Sequence, residues 1–122
     1  MSAATIGAQL VEHCRNQTEG EALKTLYSPD VVSVEAVDNG MGRECHGIAG
    51  IEGKHQWWAE NFEMHGGSVS DAMPHGDDRF AVIFEMDATH KPSGQRTQMK
   101  EVGLYTVADG KIVREEFFYP TE

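Results

Sequence analysis

Residues 31–37, VVSVEAV, form a run of β-branched residues that is interrupted near its centre by one carboxylate, Glu35. Runs of this kind are typical of buried strands. An ionised side chain in a buried strand is costly unless it has a partner or faces a wet cavity. The segment therefore predicts a central strand, and Glu35 is the first residue whose position needs an explanation.

Two helices are predicted before this strand and one after it. Apolar residues recur at three- and four-residue steps over residues 5–18, and a short second helix covers residues 21–27. Beyond the strand and a turn-rich loop, a third helix is predicted over residues 49–62, ended by glycines at 66 and 67. One face of this helix carries Ile51, His55, Trp58 and Phe62.

The second half of the chain alternates with a period of two residues, which predicts four strands, at 69–73, 79–90, 97–107 and 111–119. Asp109-Gly110 is a strong signal for a two-residue hairpin. Helices followed by antiparallel strands indicate an α+β fold, in which a curved antiparallel sheet wraps around N-terminal helices. The length of 122 residues fits a single domain over 1–122.

Turn lengths decide which side chains of these strands point inward. A five-residue loop at 91–95 would place Phe84 opposite Val102, and the hairpin would place Val102 opposite Phe117. The inner face then contains Phe80, Val82, Phe84, Met86, Val102, Leu104, Val113, Phe117 and Tyr119, with Lys100 and Glu115 as its charged members. A slip of one residue would bring Glu101 inward in place of Glu115.

The predicted outer face of the sheet is too apolar for a small monomer. It contains Ile83, Met99, Tyr105 and Phe118 among charged residues. Contiguous apolar surface of this kind usually marks an interface. We therefore expect a homodimer that is joined through this face.

The charge of the chain limits its partners. Ten Lys and Arg face twenty Asp and Glu, so that the net charge is −10. A surface this acidic repels phosphate backbones and anionic lipids, and neither nucleic acid nor a membrane is an expected partner. The first residues lack the pattern of a signal peptide, which favours a cytoplasmic location.

Neither a metal nor a cofactor is expected from the sequence. The six histidines and two cysteines lack the spacing of local metal-ligand motifs. The glycines at 47, 50 and 53 do not form a dinucleotide-binding fingerprint, because a predicted helix rather than a strand and turn surrounds them.

The order of the elements resembles a known superfamily. The segments LYSPDVVSVE (26–35), HGIAGIEGKHQWW (46–58) and YTVADGKIVREEFFY (105–119) resemble the nuclear-transport-factor-two-like superfamily, and most of all its SnoaL-like branch. This branch includes polyketide cyclases and lies close to ketosteroid isomerase. The resemblance implies a cone-shaped sheet around the helices, a central hydrophobic pocket and, commonly, a homodimer.

The resemblance also implies roles for individual residues. Glu35 falls where ketosteroid isomerase places its catalytic carboxylate base, and Glu115 and Tyr119 match positions that line the isomerase pocket. The isomerase's oxyanion hole needs a tyrosine on the first helix and a carboxylic acid on the penultimate strand. Those positions read Val11 and, by the simplest count, Val102, so ketosteroid isomerase activity is not expected.

Glu35 and His55 are the candidate catalytic residues. Glu35 can act as a general base in a pocket with His55 as its acid–base partner, or it can be a structural glutamate with buried hydrogen-bond partners. Glu115 can likewise be a simple ion-pair partner of Lys100. The predicted pocket is lined by Trp58, Phe62, Phe84, Val102, Leu104, Glu115, Phe117 and Tyr119.

Two functions remain open from the sequence. The first is a cofactor-free isomerase, cyclase or lyase that acts on a small apolar carbonyl compound with Glu35 as base. The second is a non-catalytic dimeric domain of the same fold that binds a small apolar molecule. The strand carboxylate favours the first function, and the missing oxyanion donors favour the second.

Overall fold

The computed structural model describes residues 2–38, 40 and 42–120. Parts of the predicted loop at 38–47 and the ends of the predicted 1–122 domain lie outside the described residues. The described residues form three helices and seven strands: α1 (Ala3–Asn16), α2 (Glu19–Thr25), β1 (Tyr27–Val34), β2 (Glu44–His46), α3 (Gly47–Asn61), β3 (Phe62–Val69), β4 (Met73–His75), β5 (Arg79–His90), β6 (Gln95–Ala108) and β7 (Lys111–Phe118). The predicted α+β fold with N-terminal helices and a curved sheet is confirmed.

The sheet places the first long strand next to the last one. The strand order is β2-β1-β7-β6-β5-β3, and β4 also pairs with β5. β1 and β7 run parallel, whereas the other strand pairs in the described chain are antiparallel. The parallel pair sets Ser33 opposite Glu115 and brings the end of β1 beside the end of β7.

The core lies between the helices and one face of the sheet. Ser2 caps the start of α1, since its Oγ accepts a hydrogen bond from the Thr5 backbone N–H, and Gln17 caps its end in the left-handed conformation. Fully buried side chains of the helices and the sheet meet in one cluster: Ile6, Leu23, Val31, Ile51, Phe80, Val82 and Ile112. Burial of this apolar surface is the main force that holds helices and sheet together.

The third helix ends within one residue of its predicted end, but the strand that follows it directly was not predicted. α3 stops at Asn61, and β3 starts at the next residue, so that Gly66 and Gly67 lie within a strand rather than behind a helix. The pairing of β3 with β5 shifts register between Met64 and Gly66. Gly67 comes so close to β5 that a Cβ atom there would clash with the backbone oxygen of Glu85. The glycine therefore serves a close approach of two strands.

The predicted register of β6 is wrong by one residue. The loop after β5 has four residues, 91–94, and Gly94 has a φ of 72°. Phe84 consequently lies opposite Glu101, and Val102 lies opposite Ile83. An irregularity between Thr106 and Val107 then sets Val102 opposite Phe118 rather than Phe117.

These two changes turn β6 over, while β5 and the second half of β7 keep their predicted faces. At the start of β7, Ile112 rather than the predicted Val113 is buried in the core. The ring of Tyr105, predicted for the outer face, is buried and stacks on Phe80 with centroids 4.8 Å apart. Glu101 and Gly103 share its side of the strand. Val102 and Leu104, predicted to line the pocket, lie on the opposite face of β6.

Replacing Gly67 by alanine should destabilise the fold, because the new methyl group would strike the backbone of β5. We expect the variant to lose about 1–3 kcal/mol of unfolding free energy in urea titrations. Gly66→Ala is the matched control, since a Cβ atom at Gly66 meets nothing within 4 Å. Equal stability of the two variants would contradict the close approach at Gly67.

Candidate acid–base site

The Glu35 carboxylate has a hydrogen-bond donor on each oxygen. It follows the last residue of β1, and its backbone N–H donates to the carbonyl oxygen of Arg43 at 2.7 Å. Lys54 Nζ lies 2.5 Å from Oε2, and the Tyr119 hydroxyl donates to Oε1 at 3.0 Å. Both members of the ion pair are largely shielded from solvent, with exposed side-chain fractions of 21% for Lys54 and 23% for Glu35. The carboxylate in the β-branched run thus has a cation and a phenol as partners.

Glu115 is a second carboxylate, and it is buried, with 3% of its surface exposed. The Tyr27 hydroxyl donates to Oε1 at 2.6 Å, and the Ser33 hydroxyl donates to Oε2 at 2.7 Å. Burial and the Glu115 charge raise the pKa of Tyr27 well above its usual range, so the phenol keeps the proton that it donates. The predicted pair of Glu115 with Lys100 is wrong, because Lys100 lies 3.7 Å from Glu85 instead.

Lys54 joins the two carboxylates into one network. Its Nζ donates to Ser33 Oγ at 2.7 Å as well as to Glu35. Ser33 has a single proton and gives it to Glu115, so its oxygen is left to accept from Lys54. The ammonium also lies 5.0 Å from the centre of the Phe117 ring, within the range of a cation–π contact. The position of the cation is therefore fixed from three sides.

Sequence reasoning missed Lys54 and chose its neighbour. His55, the predicted acid–base partner of Glu35, is exposed on α3. Ile51 is buried, and residues three and four positions after it both fit a helix face that continues to Trp58. Helical spacing thus allowed either Lys54 or His55, and only the packing of α3 against β1 decides between them.

Of the three glutamates beside Lys54, Glu101 is the one without a hydrogen-bond or ion-pair partner among the described residues. It lies on β6 and is half-buried. Burial, and then the nearby charges of Glu35 and Glu115, raise its pKa to about 7, although Lys54 acts in the opposite direction. The group therefore changes its protonation state near neutral pH.

Aromatic side chains stand on the same face of the sheet as Glu101. Phe84 lies directly opposite Glu101, and Phe117 lies opposite Gly103. Both phenylalanines are half-buried and pack against the core. A Cβ atom on Gly103 would lie 2.8 Å from the Tyr105 ring and 3.1 Å from the Phe84 ring, so the missing side chain leaves room for these rings.

Of the other predicted pocket residues, Tyr119 belongs to the site, whereas Trp58 and Phe62 contact each other. Tyr119 reaches Glu35, as described above. Trp58 and Phe62 stack on each other at the junction of α3 and β3, with centroids 4.0 Å apart, and Phe62 also contacts His90 at 5.1 Å. These two rings stabilise the start of β3.

No group of three or more His, Cys, Asp or Glu side chains in residues 2–38, 40 and 42–120 is arranged to hold a metal ion. Within the same residues, none of the helices has the length and apolar character needed to cross a membrane.

Comparison with known proteins identifies the family. The SnoaL-like domain profile matches residues 1–119. The chain belongs to the SnoaL-like domain family. A search of curated proteins finds no match.

Solved structures of SnoaL-like and related proteins share the fold. A protein from Mesorhizobium loti, described as a SnoaL-like polyketide cyclase and also as a carbohydrate phosphatase, is 40% identical and superimposes with a TM-score of 0.90 over 98% of this chain and 100% of its own. An NTF2-like protein from Burkholderia thailandensis is 13% identical, with a TM-score of 0.84 over 98% and 92% of the two chains. A SnoaL-like polyketide cyclase from Jannaschia is 17% identical, with a TM-score of 0.73 over 95% and 83%.

The raised pKa of Glu101 predicts how stability depends on pH. The unfolded group titrates near 4.5 and the folded group near 7, so the folded state binds more protons between these values. The stabilisation from the protonated group is complete below about pH 4.5 and is lost as the pH rises through about 7. When the pH rises from 5 to 8, the difference in unfolding free energy between Glu101→Gln and wild type should therefore shift by about 1–3 kcal/mol in favour of the variant.

Urea titrations of both proteins at several pH values measure this difference. Glu85→Gln serves as the matched control, because Glu85 is an exposed glutamate that pairs with Lys100. Its stability relative to wild type should stay nearly constant over the same range. A constant difference for Glu101→Gln would show that Glu101 is already ionised at pH 5.

Proposed function

We propose that this SnoaL-like protein is a cofactor-free acid–base enzyme that acts on a small, largely apolar carbonyl compound as a cyclase, isomerase or lyase. Glu101 is the group that moves the proton. The observation that carries the proposal is an unpartnered, half-buried carboxyl group whose pKa is raised to about 7. A general base works best when its pKa lies near the working pH.

Glu101 suits this role better than Glu35, the residue chosen from the sequence. Both oxygens of Glu35 accept hydrogen bonds, from Lys54 and from Tyr119, so abstracting a proton would disrupt an established ion pair. Glu101 has no such bonds to break. In this proposal Glu35 instead holds Lys54 and Tyr119 in place.

The corrected register also changes the comparison with ketosteroid isomerase. The sequence placed Val102 where the isomerase has a carboxylic acid on the penultimate strand. β6 is that strand here, and it turns Glu101 toward Phe84. Val11 on α1 still offers no hydroxyl group, so the proposal does not extend to ketosteroid isomerisation itself.

The proposed chemistry begins at a carbon next to a carbonyl group. Ionised Glu101 takes a proton from that carbon, and the electron pair moves onto the carbonyl oxygen as an enolate. Lys54 is the donor at this site that can balance the new charge, because its ammonium has a third N–H beyond those given to Glu35 and Ser33, whereas Tyr119 gives its single proton to Glu35. In a cyclisation the enolate carbon then bonds to a second carbonyl carbon, and Glu101 returns its proton to the resulting alkoxide. In an isomerisation the proton returns to another carbon.

In this proposal the ligand binds between α3 and the inner face of the sheet. Phe84 and Phe117 supply apolar walls beside the carboxyl group, which suits an aromatic or polyketide-like compound. The description of the 40% identical relative as a polyketide cyclase supports the same class of substrate.

Solvent exchange tests this function without knowledge of the natural substrate. Wild-type protein in D₂O should speed up the replacement of α-protons in 2-tetralone or 4-phenylbutan-2-one, as followed by ¹H NMR. The rate should rise with pH through about 7 and then level off, because ionised Glu101 is the base. Glu101→Gln should lose about 100-fold or more of this rate.

Two further variants make the exchange experiment specific. Glu85→Gln should exchange as fast as wild type, because its side chain pairs with Lys100 away from the site. Glu35→Gln should slow exchange and move its midpoint to lower pH, because the variant removes one of the charges that raise the pKa of Glu101. Equal rates for wild type and Glu101→Gln would refute the catalytic role and favour a non-catalytic binding domain.

We also propose that two copies of the chain pair through the outer face of the sheet. Ile83, Val102 and Phe118 stand side by side on β5, β6 and β7, and Leu104 shares their face of β6. Phe118 leaves 52% of its surface exposed. This set replaces the one predicted from the sequence, because Tyr105 is buried and Met99 lies opposite Met86 on the other side of the strands.

Light scattering after gel filtration should give the mass of a dimer at micromolar concentration. Phe118→Asp should give a monomer, because a charge in a desolvated apolar contact is costly. Met73→Asp is the control, since Met73 is similarly exposed, at 46%, but lies on β4 outside this row. A wild-type monomer would contradict the interface.

A further inference from the structure

Negative charge outweighs positive charge at the acid–base site. Three carboxyl groups, those of Glu35, Glu101 and Glu115, share the site with one ammonium, that of Lys54. Two negative charges therefore remain uncompensated when all three carboxyls are ionised, and one remains after Glu101 takes up a proton. In a partly desolvated site such an imbalance is weakly screened.

The single cation of the network is already engaged. Lys54 Nζ lies 2.5 Å from Glu35 Oε2 and 2.7 Å from Ser33 Oγ. Two of its three N–H donors are taken, and the charge of Glu35 already offsets the charge that an incoming anion would meet. The neighbouring basic side chain, Arg43, is exposed and donates to the backbone oxygen of Glu35 at 3.1 Å, where solvent and salt weaken its field.

We propose that this site selects uncharged ligands over carboxylates, sulfonates and phosphates, and that Glu101 makes the selection depend on pH. An anion entering the site loses its hydration and meets uncompensated carboxylates. A neutral aromatic or aliphatic group meets Phe84 and Phe117 and gains from burial. The inference rests on the proposed function only in needing a ligand beside Glu101, and it requires no chemical step.

The charged groups around Glu101 fix the direction of the pH effect. Glu35 follows β1, Lys54 comes from α3, and Glu115 comes from β7; Tyr119 donates to Glu35 and is uncharged at neutral pH. Glu101 itself ionises near pH 7. Raising the pH from about 6 to about 8 therefore adds one negative charge to the site and should weaken the binding of anions without affecting neutral ligands.

Two fluorescent dyes with the same ring system measure this selectivity. N-phenyl-1-naphthylamine is uncharged, whereas 8-anilinonaphthalene-1-sulfonate adds one sulfonate to the same scaffold. Neither dye titrates between pH 6 and pH 8. In fluorescence titrations at about pH 8 we expect the neutral dye to bind at least about tenfold more tightly than the sulfonate. At about pH 6 the ratio of the two dissociation constants should be several-fold smaller.

Two variants assign the effect to Glu101. Glu101→Gln should remove the pH dependence and bring the affinity for the sulfonate at pH 8 close to its value at pH 6. Glu85→Gln removes the same charge from an exposed position and should leave both affinities unchanged. A change with Glu85→Gln but not with Glu101→Gln would place the dyes elsewhere on the sheet and overturn the inference.

Other outcomes would overturn the inference as well. These are equal or tighter binding of the sulfonate at pH 8, unchanged selectivity in Glu101→Gln, and failure of the neutral dye to bind. The first two would leave a positive result in the solvent-exchange experiment intact. Conversely, if the protein does not catalyse solvent exchange but still prefers the neutral dye, the proposed enzymatic function is wrong and the proposed ligand selectivity is supported.

Discussion

The hydrogen bond between Ser33 and Glu115 is the contact on which the site depends. It connects β1 to β7 across the parallel pairing, and its direction decides that Ser33 accepts from Lys54. Lys54 in turn holds Glu35, and the charge on Glu35 contributes to the raised pKa of Glu101. The buried carboxyl group of Glu115 is tolerated here because each of its oxygens has a donor. One short contact between the first and last long strands thus orders α3, the end of β1 and the middle of β6.

Three glutamates of one chain take three different states because their surroundings differ. Glu115 is enclosed with two hydroxyl donors, Glu35 is joined to a cation at the boundary, and Glu101 is left with aromatic neighbours and no donor. Environments that separate the behaviour of chemically identical groups are how one site obtains both a fixed charge and a mobile proton. The sequence singles out these three glutamates but not the neighbours that make them behave differently.

The fold class can be predicted from patterns that extend over many residues and tolerate an error of one position. The composition of the site changes with such an error. Periodicity over many residues indicated helices and strands, and the hairpin at Asp109-Gly110 is confirmed. The prediction turns Glu101 away from the inner face because it assumes five residues in the loop after β5. The loop has four, and a slip of one residue exchanges the faces of a strand. Lys54 was missed because Ile51 can share a helix face with either of two neighbours. Turn geometry and helix rotation depend on packing that no local pattern records.

The pairing of β1 with β7 also bears on the order in which the molecule assembles. Ser33 and Glu115 are 82 residues apart, so the chain must close a long loop before they meet. Contacts this distant in sequence form slowly compared with helices and hairpins. The β5–β6–β7 meander and the three helices can form from local contacts, while the proton-handling groups come together only when β1 docks on β7. Completion of the site would therefore report the docking of β1 on β7 rather than the formation of the meander or of the helices.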